Sequence, residues 1–116
     1  MTGHRLGVSL RPLAVTDLET IWRYTAQAWN VEQADQYLDQ LNERLELLAE
    51  NPSLGLDYSH VEAGVQRYQV GRHGVFYRID NHLLVVIRVL HDRMDAPRRL
   101  SDSDQGTAIL AENKVR

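Results

Sequence analysis

Between residues 64 and 100 the chain sets Arg67, Arg72, His73, Tyr77, Arg78, Arg88, His91 and Arg93 along what reads as a strand-rich meander. Guanidinium groups hold phosphates and carboxylates by bidentate contact. A histidine or tyrosine beside them can act as a general acid or base. Arg72, Tyr77, Arg78 and His91 are the residues that could combine anion binding with proton transfer. His91 leads because it stands at a strand end beside Arg93. The same residues have plainer uses. Arg78 and Arg88 lie inside apolar strands, where an unpaired charge is costly. They therefore meet helix or tail carboxylates, or they wait on a wet face for an acidic partner. Tyr77 is more often a packing tyrosine with a solvated hydroxyl. His91 reads equally as a capping residue paired with Asp92 or Asp95. His73, His82 and His91 are dispersed, and the chain has no cysteine, so no zinc-ligand spacing is present.

Composition narrows the classes. The 116 residues suit one domain with one core, expected over 1–100, followed by a polar tail at 101–116. No apolar run approaches the ~20 residues of a membrane span. The N-terminus lacks the basic and apolar regions of a secretory signal, and a cytoplasmic location is expected. The net charge is −3, yet it is unevenly spread. Residues 13–63 carry ten acids and two bases, whereas residues 64–100 carry seven arginines and three acids. Acidic helices facing a basic sheet is one reading. The global acidity argues against DNA or RNA as the main ligand of this chain alone. Twelve of the thirteen bases are arginine, and the near absence of lysine weighs against a ribosome-bound nuclease.

The elements that must position these groups follow from local patterns. Residues 6–10 alternate as a strand, which Arg11-Pro12 ends. Thr16 and Glu19 have capping-box spacing, so a first helix is expected over about 15–29, carrying Leu18, Ile21, Trp22, Thr25 and Trp29. Asn30 with Gln33 opens a second helix over 31–50. The short connection predicts an antiparallel αα-hairpin. Residues 53–63 read as a loop, 65–71 as a strand, 71–74 as a turn and 75–80 as a strand. Asn81-His82 is a tight turn, because asparagine tolerates positive φ. Residues 83–90 form an apolar central strand. A short helical turn can follow Asp95, and a weak helix over 107–114 or a flexible tail ends the chain. The sum is α+β with order β-αα-βββ: a helical hairpin on one face of a small, mostly antiparallel sheet. The other face has no evident cover from this chain.

Taken in order, these segments resemble the RelE/ParE superfamily of toxins from bacterial type II toxin–antitoxin modules, and its ParE branch most closely. The pieces are Asp17-Leu-Glu-Thr-Ile-Trp-Arg-Tyr24, Ala34 with Tyr37-Leu38, Asn51-Pro-Ser-Leu-Gly55 and Val65-Gln-Arg-Tyr68. They continue with Gly71-Arg-His73, Phe76-Tyr-Arg78 and Arg88-Val-Leu-His-Asp-Arg-Met-Asp95. The match spans about residues 6–97. The resemblance implies the β-αα-βββ fold and a ParD-like antitoxin whose disordered tail folds on the toxin. It also implies poisoning of DNA gyrase, with no catalytic residues, no cofactor and no covalent chemistry by the toxin itself. A RelE-like, ribosome-dependent mRNA endoribonuclease is the alternative. Operator DNA would be bound through the antitoxin, not by this chain alone.

On that reading the antitoxin would meet Trp22, Trp29, Tyr37, Arg78 and Arg88. The aromatic residues have a second reading as inter-helix packing. An antitoxin strand could also extend the open sheet edge. Candidates for target contact are Arg67, Arg72, His91 and Arg93.

Overall fold

A computed structural model describes residues 5–101. The expectations for the tail beyond Ser101 lie outside the described residues. The chain runs β1 (Gly7–Leu10), α1 (Pro12–Ala28), α2 (Val31–Glu50), a single 3-10 turn (Pro52–Leu54), β2 (Leu56–Asp57), β3 (Gln66–Val70), β4 (His73–Asp80) and β5 (Leu83–His91). Residues 96–101 are helical. The strands form one sheet in the order β1-β5-β4-β3-β2. β1 lies parallel to β5, with Gly7 beside Leu83, and the remaining pairs are antiparallel. The α+β architecture matches the expectation, with the two-residue edge strand β2 added inside the segment read as loop.

α1 begins earlier than the capping-box spacing suggests. Arg11 is extended at the N-cap and Pro12 occupies the first turn, where its fixed φ suits the helix and its missing N–H costs nothing. Thr16 thus sits inside the helix, its hydroxyl bonded to the Pro12 carbonyl. α2 starts as read: the Asn30 side chain accepts a bond from the Gln33 amide at 2.7 Å. At the other tight turn, Asn81 and His82 both have positive φ, 50° and 63°, the pair of left-handed residues that a two-residue hairpin of matching twist requires.

Two apolar layers hold the sheet. On one side, Ala14, Ile21, Leu41, Leu45 and Leu48 of the helices pack on Val70, Val75, Tyr77, Leu84, Val86 and Val89. On the other, Val65, Phe76, Ile87, Leu90 and Leu100 form a smaller cluster, flanked by Tyr58, Val61 and Ala96. The expectation of a bare second face is therefore corrected. The loop after β2 and the terminal helical turn cover one end of it, because Tyr58, Val61 and Leu100 supply the apolar cover that the two helices cannot reach. Between Phe76 and Tyr77 the pairing of β4 with β5 shifts register, as at a β-bulge.

Candidate functional site

Arg88 and Tyr77, two of the residues singled out for chemistry, are committed to the fold. Arg88 is 8% exposed. Its Nε and Nη2 donate to the two oxygens of Asp17, each at 2.7 Å. The same carboxylate accepts the Val89 amide at 2.9 Å. The expectation that Arg88 meets an antitoxin is thus corrected: a helix carboxylate already neutralises it in a bidentate pair. A helix carboxylate is one sequence reading for Arg88, but Asp17 enters only within the Asp17–Tyr24 segment and not as that partner, although a signal exists. It occupies the inward positions of α1 with Ala14 and Ile21, at intervals of three and four residues. An acid there calls for a buried cation.

Tyr77 is fully buried. Its hydroxyl lies 2.6 Å from the Pro52 carbonyl and 2.8 Å from Gln66 Oε1, and it accepts the Gly55 amide at 3.0 Å. Burial raises its pKa above the ordinary tyrosine value, with the Gly55 amide acting in the opposite direction. It therefore clamps the segment after α2 to β4 and has no place as an RNA-cleaving base. Arg78 is the next residue and points to the other face. It stands five positions along β4 from His73, which pairs with His91, so about 16 Å of strand separates them. The set Arg72, Tyr77, Arg78 and His91 is not brought together.

What the fold does assemble is a polar cluster at the β3–β4 turn. Gly71 takes positive φ there, at 56°, and a Cβ on it would come 3.0 Å from the Tyr37 hydroxyl. That hydroxyl lies 2.6 Å from His73 Nδ1 and 3.2 Å from the Val70 carbonyl. The His73 and His91 rings meet edge to face at 5.1 Å. His91 Nδ1 accepts the Arg93 amide at 3.0 Å. Asp92 accepts from Gln69 at 2.7 Å and from Arg67 at 3.4 Å. The target-contact candidates Arg67, Arg72, His91 and Arg93 therefore share one end of the sheet. Arg72 and Arg93 are exposed, while Arg67 and His91 are partly buried. Arg98 and Arg99 extend this group from the terminal helical turn, and sequence reading passed them over.

The aromatic candidates on the helices divide. Trp22 Nε1 donates to Asp35 at 2.8 Å and ties α1 to α2. Tyr37 ties α2 to the polar cluster. Trp29 is 74% exposed, and Tyr24 is 71% exposed.

His73 is pushed down to about 4, chiefly by burial and secondarily by His91, with Asp92 and Asp17 opposing. A histidine with a depressed native pKa stabilises the fold above its unfolded value near 6.5, and that contribution is lost as pH falls toward 4. With allowance for solvent screening, the loss is about 1–2 kcal/mol. Urea melts of the wild type and His73→Asn between pH 7 and 4.5 test this. The wild type should show the steeper fall, and parallel slopes would refute the assignment.

The family model described as "ParE toxin of type II toxin-antitoxin system, parDE" matches residues 8–96. The chain is 39% identical over 92 residues to Toxin ParE1 of Mycobacterium tuberculosis, covering 78% of this chain and 94% of the relative. It is 41% identical over 87 residues to Toxin ParE1 of Caulobacter vibrioides, covering 75% and 90%. The solved chromosomal ParDE system from P. aeruginosa has a chain of the same fold, with a TM-score of 0.67 at 15% identity over 77% of this chain and 98% of that one. A chain of the toxin–antitoxin complex RelBE2 from Mycobacterium tuberculosis matches with a TM-score of 0.52 at 25% identity, over 75% and 98%.

Proposed function

Since this chain belongs to the ParE toxin family of type II toxin–antitoxin systems, we propose that it arrests growth by poisoning DNA gyrase and that a ParD-like antitoxin neutralises it. The pair would form a hetero-oligomer in the cytoplasm, and operator DNA would be held through the antitoxin. The observation that carries this reading is a family match that spans the fold from β1 to the terminal helical turn. The fates of Tyr77 and Arg78 support it. Of the four residues that could have served RNA cleavage, Arg72, Tyr77, Arg78 and His91, the Tyr77 hydroxyl serves the fold, and Arg78 stands well along β4 from His91, so that set is not assembled.

For the antitoxin contact, Arg78 and Trp29 remain the stronger candidates among the helical and strand residues first considered. Arg78 is partly exposed and stands opposite Val85 in the β4–β5 register, while Trp29 is 74% exposed at the end of α1.

The test is a gyrase supercoiling assay with the purified chain in molar excess. Supercoiling should be blocked, or cleaved DNA should accumulate. Unchanged supercoiling at all toxin concentrations would sink the reading.

A further inference from the structure

We propose that Asp17 is a positioning residue for the end of the sheet that carries the target-contact candidates, and that it acts through the bulge in β5. The inference rests on the reading above for its activity readout alone. A regular strand sends alternate side chains to opposite faces, and β5 keeps that alternation only as far as Arg88. Leu84 and Val86 pack with the helices, Ile87 packs in the second cluster, and Arg88 turns back to Asp17 on α1. Val89 also packs with the helices, and Leu90 joins the second cluster. Two consecutive residues, Arg88 and Val89, therefore point to one face. The pairing with β4 carries the same slip. Phe76 lies opposite Arg88 and Tyr77 opposite Val86, which leaves Ile87 as the extra residue of a bulge.

Asp17 grips both residues of the slip. It accepts from Arg88 Nε and Nη2 at 2.7 Å each, and from the Val89 amide at 2.9 Å. The pairing of β1 with β5 ends at Val86. Past that point β5 outruns its neighbour, and a helix carboxylate, not a strand carbonyl, holds the Val89 amide. Asp17 is buried, so water competes little for these bonds.

Everything after the bulge depends on its phase. Without the extra residue, each later side chain would change face. With it, the His91 ring meets that of His73, which is itself bonded to Tyr37 of α2. Asp92 meets Arg67 and Gln69, and Arg67 lies over the Phe76 ring of the second cluster. His91 Nδ1 takes the Arg93 amide, and the Asp92 amide donates to the Arg72 carbonyl at 2.9 Å. Arg67, Arg72 and Arg93 are thus gathered around a strand end whose facing is set by one carboxylate on α1.

Two neutral pairs separate the bulge from the charge. Asp17→Asn with Arg88→Gln keeps an acceptor for the Val89 amide, and Asp17→Leu with Arg88→Met removes it. Leu45→Ala, a core substitution on α2, controls for lost stability, and urea melts rank all three. By NMR, the wild type and the acceptor-keeping pair should show a slowly exchanging Val89 amide and a contact between the His73 and His91 rings. In the acceptor-free pair that amide should exchange about 10-fold faster or more, and the ring contact should vanish. Half-maximal inhibition of gyrase should need about 10-fold more of the acceptor-free pair, and less than about three-fold more of the other two variants. Fast exchange of Val89 in the wild type would overturn the proposal, and that measurement needs no variant to fold. So would a ring contact that survives in the acceptor-free pair, or a loss of inhibition shared equally by all three variants. A wild type that leaves gyrase untouched removes the gyrase reading alone, because the exchange and ring measurements still decide the role of Asp17. A wild type that inhibits, with the ring contact intact after the acceptor is removed, removes the role of Asp17 alone.

Discussion

Asp17→Ala should lower the unfolding free energy by about 3–5 kcal/mol, the cost of leaving a buried cation without its partner. The loss has three sources. Arg88 keeps its charge at 8% exposure, the two 2.7 Å bonds vanish, and the Val89 amide loses its acceptor. Because a domain of this size has only about 5–15 kcal/mol of total stability, the variant would be largely unfolded in mild denaturant. Urea melts give the number directly. Replacing both members with apolar residues, Asp17→Leu with Arg88→Met, should recover most of the loss, because the isolated charge and not the missing attraction dominates. A single-variant loss below about 1 kcal/mol would mean that water reaches Arg88 and that the pair is not sealed.

The second large effect is expected at Gly55. A Cβ there would fall 2.1 Å from the Tyr77 hydroxyl oxygen and 2.8 Å from Cζ. Both atoms belong to a ring fixed in the core, so the loop must move away rather than the ring. Gly55→Ala should therefore cost about 2–4 kcal/mol, combining overpacking with loss of the bonds to Pro52, Gly55 and Gln66. Tyr77→Phe isolates the bonding part and should cost about 1–3 kcal/mol. The double variant Gly55→Ala with Tyr77→Phe should be less destabilised than the two single losses added together, since both act on one contact. Strict additivity in denaturant melts would refute a shared clamp.

The features legible in the sequence are those whose cause lies within a few residues. Asn30 caps α2 through its own side chain, and Asn81-His82 turns because asparagine accepts positive φ. The helical hairpin and the three-strand meander follow from period and punctuation alone. The misread features have causes far away in the chain. β2 has only two residues, too few to show a period, and exists because β3 offers it a ladder. The Thr16–Glu19 spacing fits a capping box, but Pro12 had already started the helix. Arg88 and Asp17 stand 71 residues apart, so neither position alone declares the pair. The second apolar cluster is not legible locally for the same reason: Tyr58 and Val61 come from the loop after β2 and Leu100 from the terminal helical turn, and they join Phe76 only in the fold. At the candidate site, residue type and strand ends single out His91, Arg67, Arg72 and Arg93 as candidates. Their grouping with Tyr37 required knowing that α2 crosses above the β3–β4 turn.

The seating of β1 against β5 sets an order of events during synthesis. Gly7 leaves the ribosome early, but its neighbour Leu83 is made 76 positions later, as 83 minus 7. Until β5 emerges, the first strand has nothing to lie beside, and Asp17 waits equally for Arg88. The helical hairpin can form while translation continues, since its contacts are local. The sheet cannot close until β5 is made, so a chain cut short before Leu83 lacks both the neighbour of β1 and the partner of Asp17.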